Sequence, residues 1–171
     1  MGTFAVQIAK ALGADVTAVD GSEKLDTLRA IGADHVIDHT REDFTRRSER
    51  YDLILDIPGT HPFSAIRRAL TPEGTYVLIG HDAYGRFGRR WIGSMGRCLR
   101  LLVISPLTKQ LPGLRGANNP GDRLRVLRDL LEAGKVTPVV DRTFPMNQVP
   151  EAIRYLEEGH VRGKIVITIG S

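Results

Sequence analysis

Apolar side chains recur along this chain in two alternating rhythms, one helical and one extended. Phe4, Ile8 and Leu12 fall at helical spacing with Gly13 as a stop, so residues 1–12 are predicted to form a helix with one face on a core. Val16-Thr17-Ala18-Val19 is a β-branched run closed by Asp20, and it reads as a strand reached through a short αβ connection. Ser22 is predicted to cap a helix carrying Leu25, Leu28 and Ile31, with Gly32 ending it. His35-Val36-Ile37 follows as a short strand running into polar Asp38-His39-Thr40, and residues 42–50 read as a charged, solvated helix. Residues 51–57 form the strongest strand, ended by Pro58-Gly59. Phe63, Ile66 and Leu70 then mark a helix, Pro72-Glu73-Gly74 a turn, and residues 75–79 a strand that Gly80 ends.

The second half changes character. Residues 99–105 hold the apolar run Leu101-Leu102-Val103-Ile104 and read as another strand, closed by Pro106. After a loop rich in Pro, Gly and Asn, Asp122 is predicted to cap a helix with Leu124, Leu127, Leu130 and Leu131 that ends at Gly134. Residues 136–144 look extended, Pro150 opens a helix through Ile153 and Leu156 that Gly159 stops, and residues 164–169 form a terminal strand. This alternation predicts an α/β fold, a parallel sheet with helices on both faces. Nearly continuous apolar strands agree with burial on both sides. Ligands of open parallel sheets bind beyond the carboxyl ends of the strands. Those ends carry Asp20, Asp38-His39, Ile57-Pro58-Gly59 and Gly80-His81-Asp82, which are expected to line one crevice.

Composition narrows the class without changing that picture. The chain has 171 residues with 42% hydrophobic content, enough to bury a core, and its glycines and prolines are dispersed. No repeat, membrane-length apolar run or basic-then-apolar leader is present, and Cys98 is the single cysteine, so a reducing, cytoplasmic setting is expected. The net charge of +4 is concentrated around Arg86, Arg89, Arg90, Arg97 and Arg100, interleaved with Tyr84, Phe87 and Trp91. Such a patch suits nucleic acid, but no nucleic-acid motif accompanies it, and a glycine-rich surface loop is preferred.

Asp20 stands eighteen residues after Gly2, close to the interval between a dinucleotide fold's glycine loop and its ribose-binding acid. Only Gly2 can be a glycine of that loop. The five histidines are too dispersed for a local metal motif, and neither Ser64 nor Ser94 sits in a nucleophile-elbow context. No catalytic residue and no metal site are assigned.

The strings GTFAVQIAKALGADVTAVD, LRAIGADHVIDHT, YDLILDIPG, LTPEGTYVLIG and LEAGKVTPVVDRTFPMNQVPEAIRYLEEGHVRGKIVI together resemble the medium-chain dehydrogenase/reductases, most closely their zinc-free quinone oxidoreductase-like branch. The resemblance runs over almost the whole chain and is weakest between Tyr84 and Asn119. It implies NAD(P)H-dependent reduction of a small-molecule quinone, enone or similar carbonyl by a Rossmann-type domain. By the same resemblance, residues 1–120 form an incomplete cofactor domain without its first strand and glycine loop. Residues 121–171 supply segments that partly belong to an absent catalytic domain, and the chain reads as a C-terminal fragment with little activity alone.

The resemblance also assigns candidate residues. Gly2 and Thr3 match the start of the first helix, where backbone N–H groups would hold pyrophosphate, the alternative being a plain terminus. Asp20 matches the acid on the adenosine ribose, whereas Lys24 matches the lysine that relatives use on a 2′-phosphate. NADPH is therefore expected, with NADH left open. His39 stands where relatives place a ring near the adenine, or it is a loop histidine. Pro58, Gly59, Gly80 and His81 match backbone beside the nicotinamide, or are strand-to-loop punctuation. A homodimer through an edge strand at residues 101–104 is expected, with no nucleic-acid and no membrane partner. The alternative function is a non-catalytic nucleotide-binding or dimerising module.

Overall fold

The computed structural model describes residues 1–79, 101, 103, 108, 110, 111, 120–159 and 161–170. The chain divides into two compact units, Met1–Glu42 with Asn119–Ser171, and Asp43–Asn118. Every described ladder is parallel, as the strand–helix alternation predicts, in an α/β, Rossmann-like arrangement; among the described residues the strands pair two by two and not as the one continuous sheet expected. Among the described residues no helix is long and apolar enough to cross a membrane.

In the first unit, α1 (Gly2–Ala11) stops where the periodicity ends, because Gly13 takes a φ of +84° and its N–H donates to the Lys10 carbonyl at 2.9 Å. β1 (Thr17–Asp20) pairs in register with β2 (His35–Asp38), from Thr17 opposite His35 to Asp20 opposite Asp38. Between them a 3-10 turn, Ser22–Lys24, runs into α2 (Leu25–Ala30). Ser22 is the first residue of that turn and its side chain makes no cap bond, so the predicted cap is corrected to an uncapped entry after Gly21. Val6, Ala18, Leu28 and Ala33 form the buried core, with Val16, Leu25, Ile31 and Val36 packed against it. Asp34 closes the edge of this layer: it accepts from Lys10 Nζ at 2.8 Å and from the Val16 N–H at 2.7 Å. The Lys10 bond, then the Val16 bond, hold its carboxyl down at about 2.

The C-terminal part of this unit contains α4 (Pro120–Glu132), β5 (Val140–Pro145), a 3-10 turn at Met146–Gln148, α5 (Val149–Glu157) and β6 (Lys164–Thr168). α4 begins before Asp122, which lies in its first turn and is not its cap. β5, α5 and β6 make a βαβ unit whose two strands pair in parallel. A Cβ on Gly163 would overlap the Val139 carbonyl, which accepts from the Lys164 N–H at 2.7 Å as β6 begins. Gln7 fastens α1 to this part. Its Nε2 donates to the Thr3 and Thr137 carbonyls, both at 3.0 Å, and its Oε1 accepts from the Thr137 N–H at 2.7 Å.

The second unit is organised around β3 (Tyr51–Asp56), α3 (Phe63–Ala69) and β4 (Leu70–Leu78). Ile54, Ile66, Ala69, Leu70, Tyr76 and Leu111 form its core. The predicted turn at Pro72-Glu73-Gly74 lies inside β4 as an irregularity, since Leu70 pairs with Tyr51 and Thr75 with Leu53. A Cβ on Gly74 would come within 2.7 Å of the Tyr51 carbonyl, so this close approach requires glycine.

Two expectations are overturned here. Residues 42–50 are not a helix: one 3-10 turn, Phe44–Arg46, is capped by Asp43, whose carboxylate accepts from the Thr45 N–H at 2.9 Å and hydroxyl at 2.7 Å. Side chains that bond their own backbone compete with helix continuation, and this stretch is rich in them. In the predicted strand at 99–105, the described residues Leu101 and Val103 are helical. Short apolar runs rich in leucine do not separate strand from helix. Pairing between copies through an edge strand at 101–104 therefore loses its basis. Leu102, Ile104 and the arginine–aromatic stretch at 84–100 lie outside the described residues.

Candidate functional site

The candidate residues gather best at the carboxyl ends of β1 and β2. The parallel register brings the strand ends level, and the His39 N–H donates to the Asp20 carbonyl at 3.1 Å, so Asp20 and His39 are neighbours. The loop beyond β2 is set by Asp38, a buried carboxylate that accepts from the Thr40 N–H at 2.9 Å and hydroxyl at 2.6 Å. The Thr40 bonds, side chain first, hold the Asp38 carboxyl below the usual range, so it stays an acceptor and keeps the turn closed. His39 stands exposed on that turn.

Asp20 turns one oxygen back onto its own loop, where Oδ1 accepts from the Gly21 N–H at 2.8 Å. Lys24 reaches it from the 3-10 turn, with Nζ 3.7 Å from Oδ1. The same ammonium donates to the Gly159 carbonyl just past the C-terminus of α5, at 3.1 Å. A helix C-terminus presents unpaired carbonyls and partial negative charge, so a lysine is well placed there. Asp20 and Lys24, for which the sequence resemblance implies opposed roles at a ribose 2′-position, therefore form one pair. Sequence spacing brings Asp20 and Lys24 close, but no local signal points to Gly159.

Gly2 and Thr3 form the first turn of α1. The Phe4 and Ala5 N–H groups close onto the Met1 carbonyl at 3.1 and 3.2 Å, and the Gly2 and Thr3 N–H groups come before the first intrahelical partner.

In the second unit, Pro58 and Gly59 follow β3, and Gly59 adopts a φ of +66°. Its N–H donates to Asp56 Oδ1 at 2.8 Å, while Asp56 Oδ2 accepts from the Tyr76 hydroxyl at 2.9 Å. Asp56 and Tyr76 are both buried, so this clamp fixes where the Pro58–Gly59 backbone lies. Sequence reading missed it, because the two partners are 20 residues apart on neighbouring strands. The Gly59 N–H is thereby spent on Asp56, leaving the segment to offer close backbone approach. Gly80 and His81 lie outside the described residues. Among the described residues no three His, Cys, Asp or Glu side chains converge as a metal ion would require.

Comparison with known proteins gives consistent matches. The family profile described as zinc-binding dehydrogenase matches residues 31–167. The chain is 35% identical over 182 residues to the mitochondrial NAD(P)H oxidoreductase RTN4IP1 of Mus musculus, covering 99% of this chain and 45% of that protein. It is 30% identical to the chloroplastic NADPH-dependent alkenal/one oxidoreductase of Arabidopsis thaliana, covering 98% of this chain and 37% of that one. Among solved structures, the quinone oxidoreductase from Coxiella burnetii superposes with a TM-score of 0.72 at 26% identity, over 99% of this chain and 49% of that chain. The chain spans about half the length, or less, of the curated relatives it matches.

Proposed function

The chain belongs to the medium-chain dehydrogenase/reductases, in their zinc-independent quinone-oxidoreductase-like branch, and from that membership we propose that it is the cofactor-binding part of an NAD(P)H-dependent reductase of quinones or α,β-unsaturated carbonyls. Support for the substrate class comes from relatives named as quinone and alkenal/one oxidoreductases. The observation that carries the cofactor end is the cluster at the carboxyl end of β1, with Asp20, Lys24 and the turn of His39 together.

Those residues fit a dinucleotide. Asp20 Oδ2 is engaged by no described group and can accept from ribose hydroxyls. Lys24 can leave Gly159 for a 2′-phosphate, which is why NADPH stays the first expectation and NADH the second. The Gly2 and Thr3 N–H groups at the start of α1 are the donors offered to a pyrophosphate, and His39, exposed beside Asp20, is the ring offered to an adenine. In the second unit, Pro58–Gly59 is the backbone expected beside the nicotinamide. The bound cofactor supplies the hydride, so the protein's own part is to orient and shield it. In the family's strand order a further strand lies between the equivalents of β1 and β3. Among the described residues, β1 pairs only with β2 and β3 only with β4.

Calorimetric titration of the chain with NADPH and NADH tests this reading. The expectation is saturable binding of both cofactors, with NADPH preferred. Lys24→Ala should shift the preference from NADPH towards NADH. No saturation by either cofactor at millimolar concentration, or an unchanged preference in Lys24→Ala, refutes the assignment.

A further inference from the structure

The second unit carries a cationic cleft that the reductase reading does not use. It measures about 390 Å³ and is lined by Thr45, Arg46, Arg47, Arg50 and Arg68, within the ~300–1,000 Å³ span of small-molecule sites. Arg50 immediately precedes β3, and Arg68 lies in the last turn of α3 just before β4, so the cleft stands where these strands begin. Pro58–Gly59 follows the opposite end of β3, one strand length or about 20 Å away.

The four arginines are not equivalent. Arg46 faces Asp43 at 3.4 Å. Arg47 gives its Nε–Nη2 edge to Glu49, at 3.1 and 3.0 Å. That pairing is the first cause holding the Glu49 carboxyl at about 2, so Glu49 remains its counter-charge. Arg50 is held differently: Nη1 donates to the carbonyls of Arg47, Ser48 and Glu49 at 3.0, 2.8 and 2.9 Å. Three carbonyls fix the guanidinium in place without neutralising it. Among the described residues its Nε and Nη2 meet no acceptor, and Arg68, exposed on α3, pairs with no carboxylate. Among the described residues, two of the four charges are balanced by carboxylates close in sequence, Asp43 and Glu49, and two are not.

We propose that this cleft is an anion site for a small phosphate-bearing ligand, held by the free Nε–Nη2 edge of Arg50 and the guanidinium of Arg68. A phosphate dianion matches the two unbalanced charges, and a guanidinium edge meets two phosphate oxygens at once. Arg50 is already ordered by its carbonyls, so binding need not immobilise it. Thr45 is wall only, because its hydroxyl is committed to Asp43 at 2.7 Å. The site is separate from the cofactor reading, and either can fail alone.

Inorganic pyrophosphate titrated into the whole chain at fixed ionic strength tests the proposal, followed by calorimetry and by the arginine Nε–Hε NMR signals. Binding should move the Arg50 and Arg68 signals. Arg68→Gln should weaken it about tenfold, the loss of one charge-assisted pair. Arg67→Gln, one residue along the same helix and outside the cleft lining, and Lys24→Ala should leave it unchanged. Equal weakening by Arg67→Gln and Arg68→Gln would mean diffuse attraction to a basic surface. Loss in Lys24→Ala would put the anion at the cofactor end. Either result overturns the proposal, as does the absence of saturable binding at millimolar concentration.

Discussion

Tyr76→Phe removes one oxygen atom, and the structure gives that atom a defined task. The Tyr76 hydroxyl donates to Asp56 Oδ2 at 2.9 Å, and Tyr76 and Asp56 are 2% and 9% exposed. The phenylalanine ring fills the same space, so core packing with Ile54, Ile66 and Leu70 is kept. What is lost is a donor to a carboxylate that water reaches poorly. A hydrogen bond to such a group is worth about 1.5–3 kcal/mol, so Tyr76→Phe should destabilise by that amount. Urea unfolding measures it, through a lower midpoint at unchanged slope. The effect should be shared with Asp56, so a Tyr76→Phe/Asp56→Asn cycle should show a coupling well above the roughly 0.5 kcal/mol expected of independent sites. Asp56 also holds the Gly59 N–H at 2.8 Å, so hydrogen exchange at Gly59 should quicken in Tyr76→Phe while exchange in α1 does not change. A stability loss under about 0.5 kcal/mol with no coupling to Asp56 would refute the clamp.

Gln7→Leu should cost roughly 2–4 kcal/mol in the same unfolding assay, because it strands the Thr137 N–H and carbonyl that Gln7 now satisfies at 2.7 and 3.0 Å; a neutral substitution would mean that Gln7 does not fasten the C-terminal part. Asp34 has a folded-state pKa of about 2 against an ordinary 3.8, so its contribution is complete above 3.8 and lost as pH falls from there towards 2. Asp34→Asn should therefore flatten the acid limb of the stability–pH curve in that window, and an unchanged limb would show that the Lys10 pair does not form in solution.

What the sequence made legible was whatever chemistry lies close along the chain. The stops predicted at Gly13, Gly32, Gly134 and Gly159 all carry positive φ, between +67° and +103°, because only glycine enters that region without strain. The β-branched runs around residues 17–20 and 164–168, and the apolar run with Tyr51 and Ile54 at 51–56, became strands through equally local preferences. Local reading failed where side chains bond their own backbone. At residues 42–50, Asp43 and Arg50 capture nearby amides and carbonyls, and a charged stretch without an apolar stripe has nothing to oppose them. It failed again wherever the partner is distant. Gln7 and Thr137 are 130 residues apart, and neither carries a motif that announces the other.

The same distinction bears on the cofactor end. Asp20 and Lys24 were legible separately, and they point in opposite directions for a ribose 2′-position. The structure resolves them into one electrostatic object, an ammonium 3.7 Å from a carboxylate oxygen and bonded to the Gly159 carbonyl. A 2′-phosphate arriving there gains Lys24 but meets Asp20, and it must also replace the carbonyl that Lys24 leaves. An unphosphorylated ribose needs none of this rearrangement, since Asp20 Oδ2 can accept while Lys24 stays on Gly159. On that proposed reading, preference for NADPH would depend on the attraction of a dianion for Lys24 exceeding its repulsion from Asp20. Both interactions act at partly exposed side chains, where the Debye length is about 8 Å at physiological salt. On the proposed cofactor reading, the balance between the two cofactors would accordingly be set by a small difference between opposed charges on one short turn, and not by the identity of either residue alone.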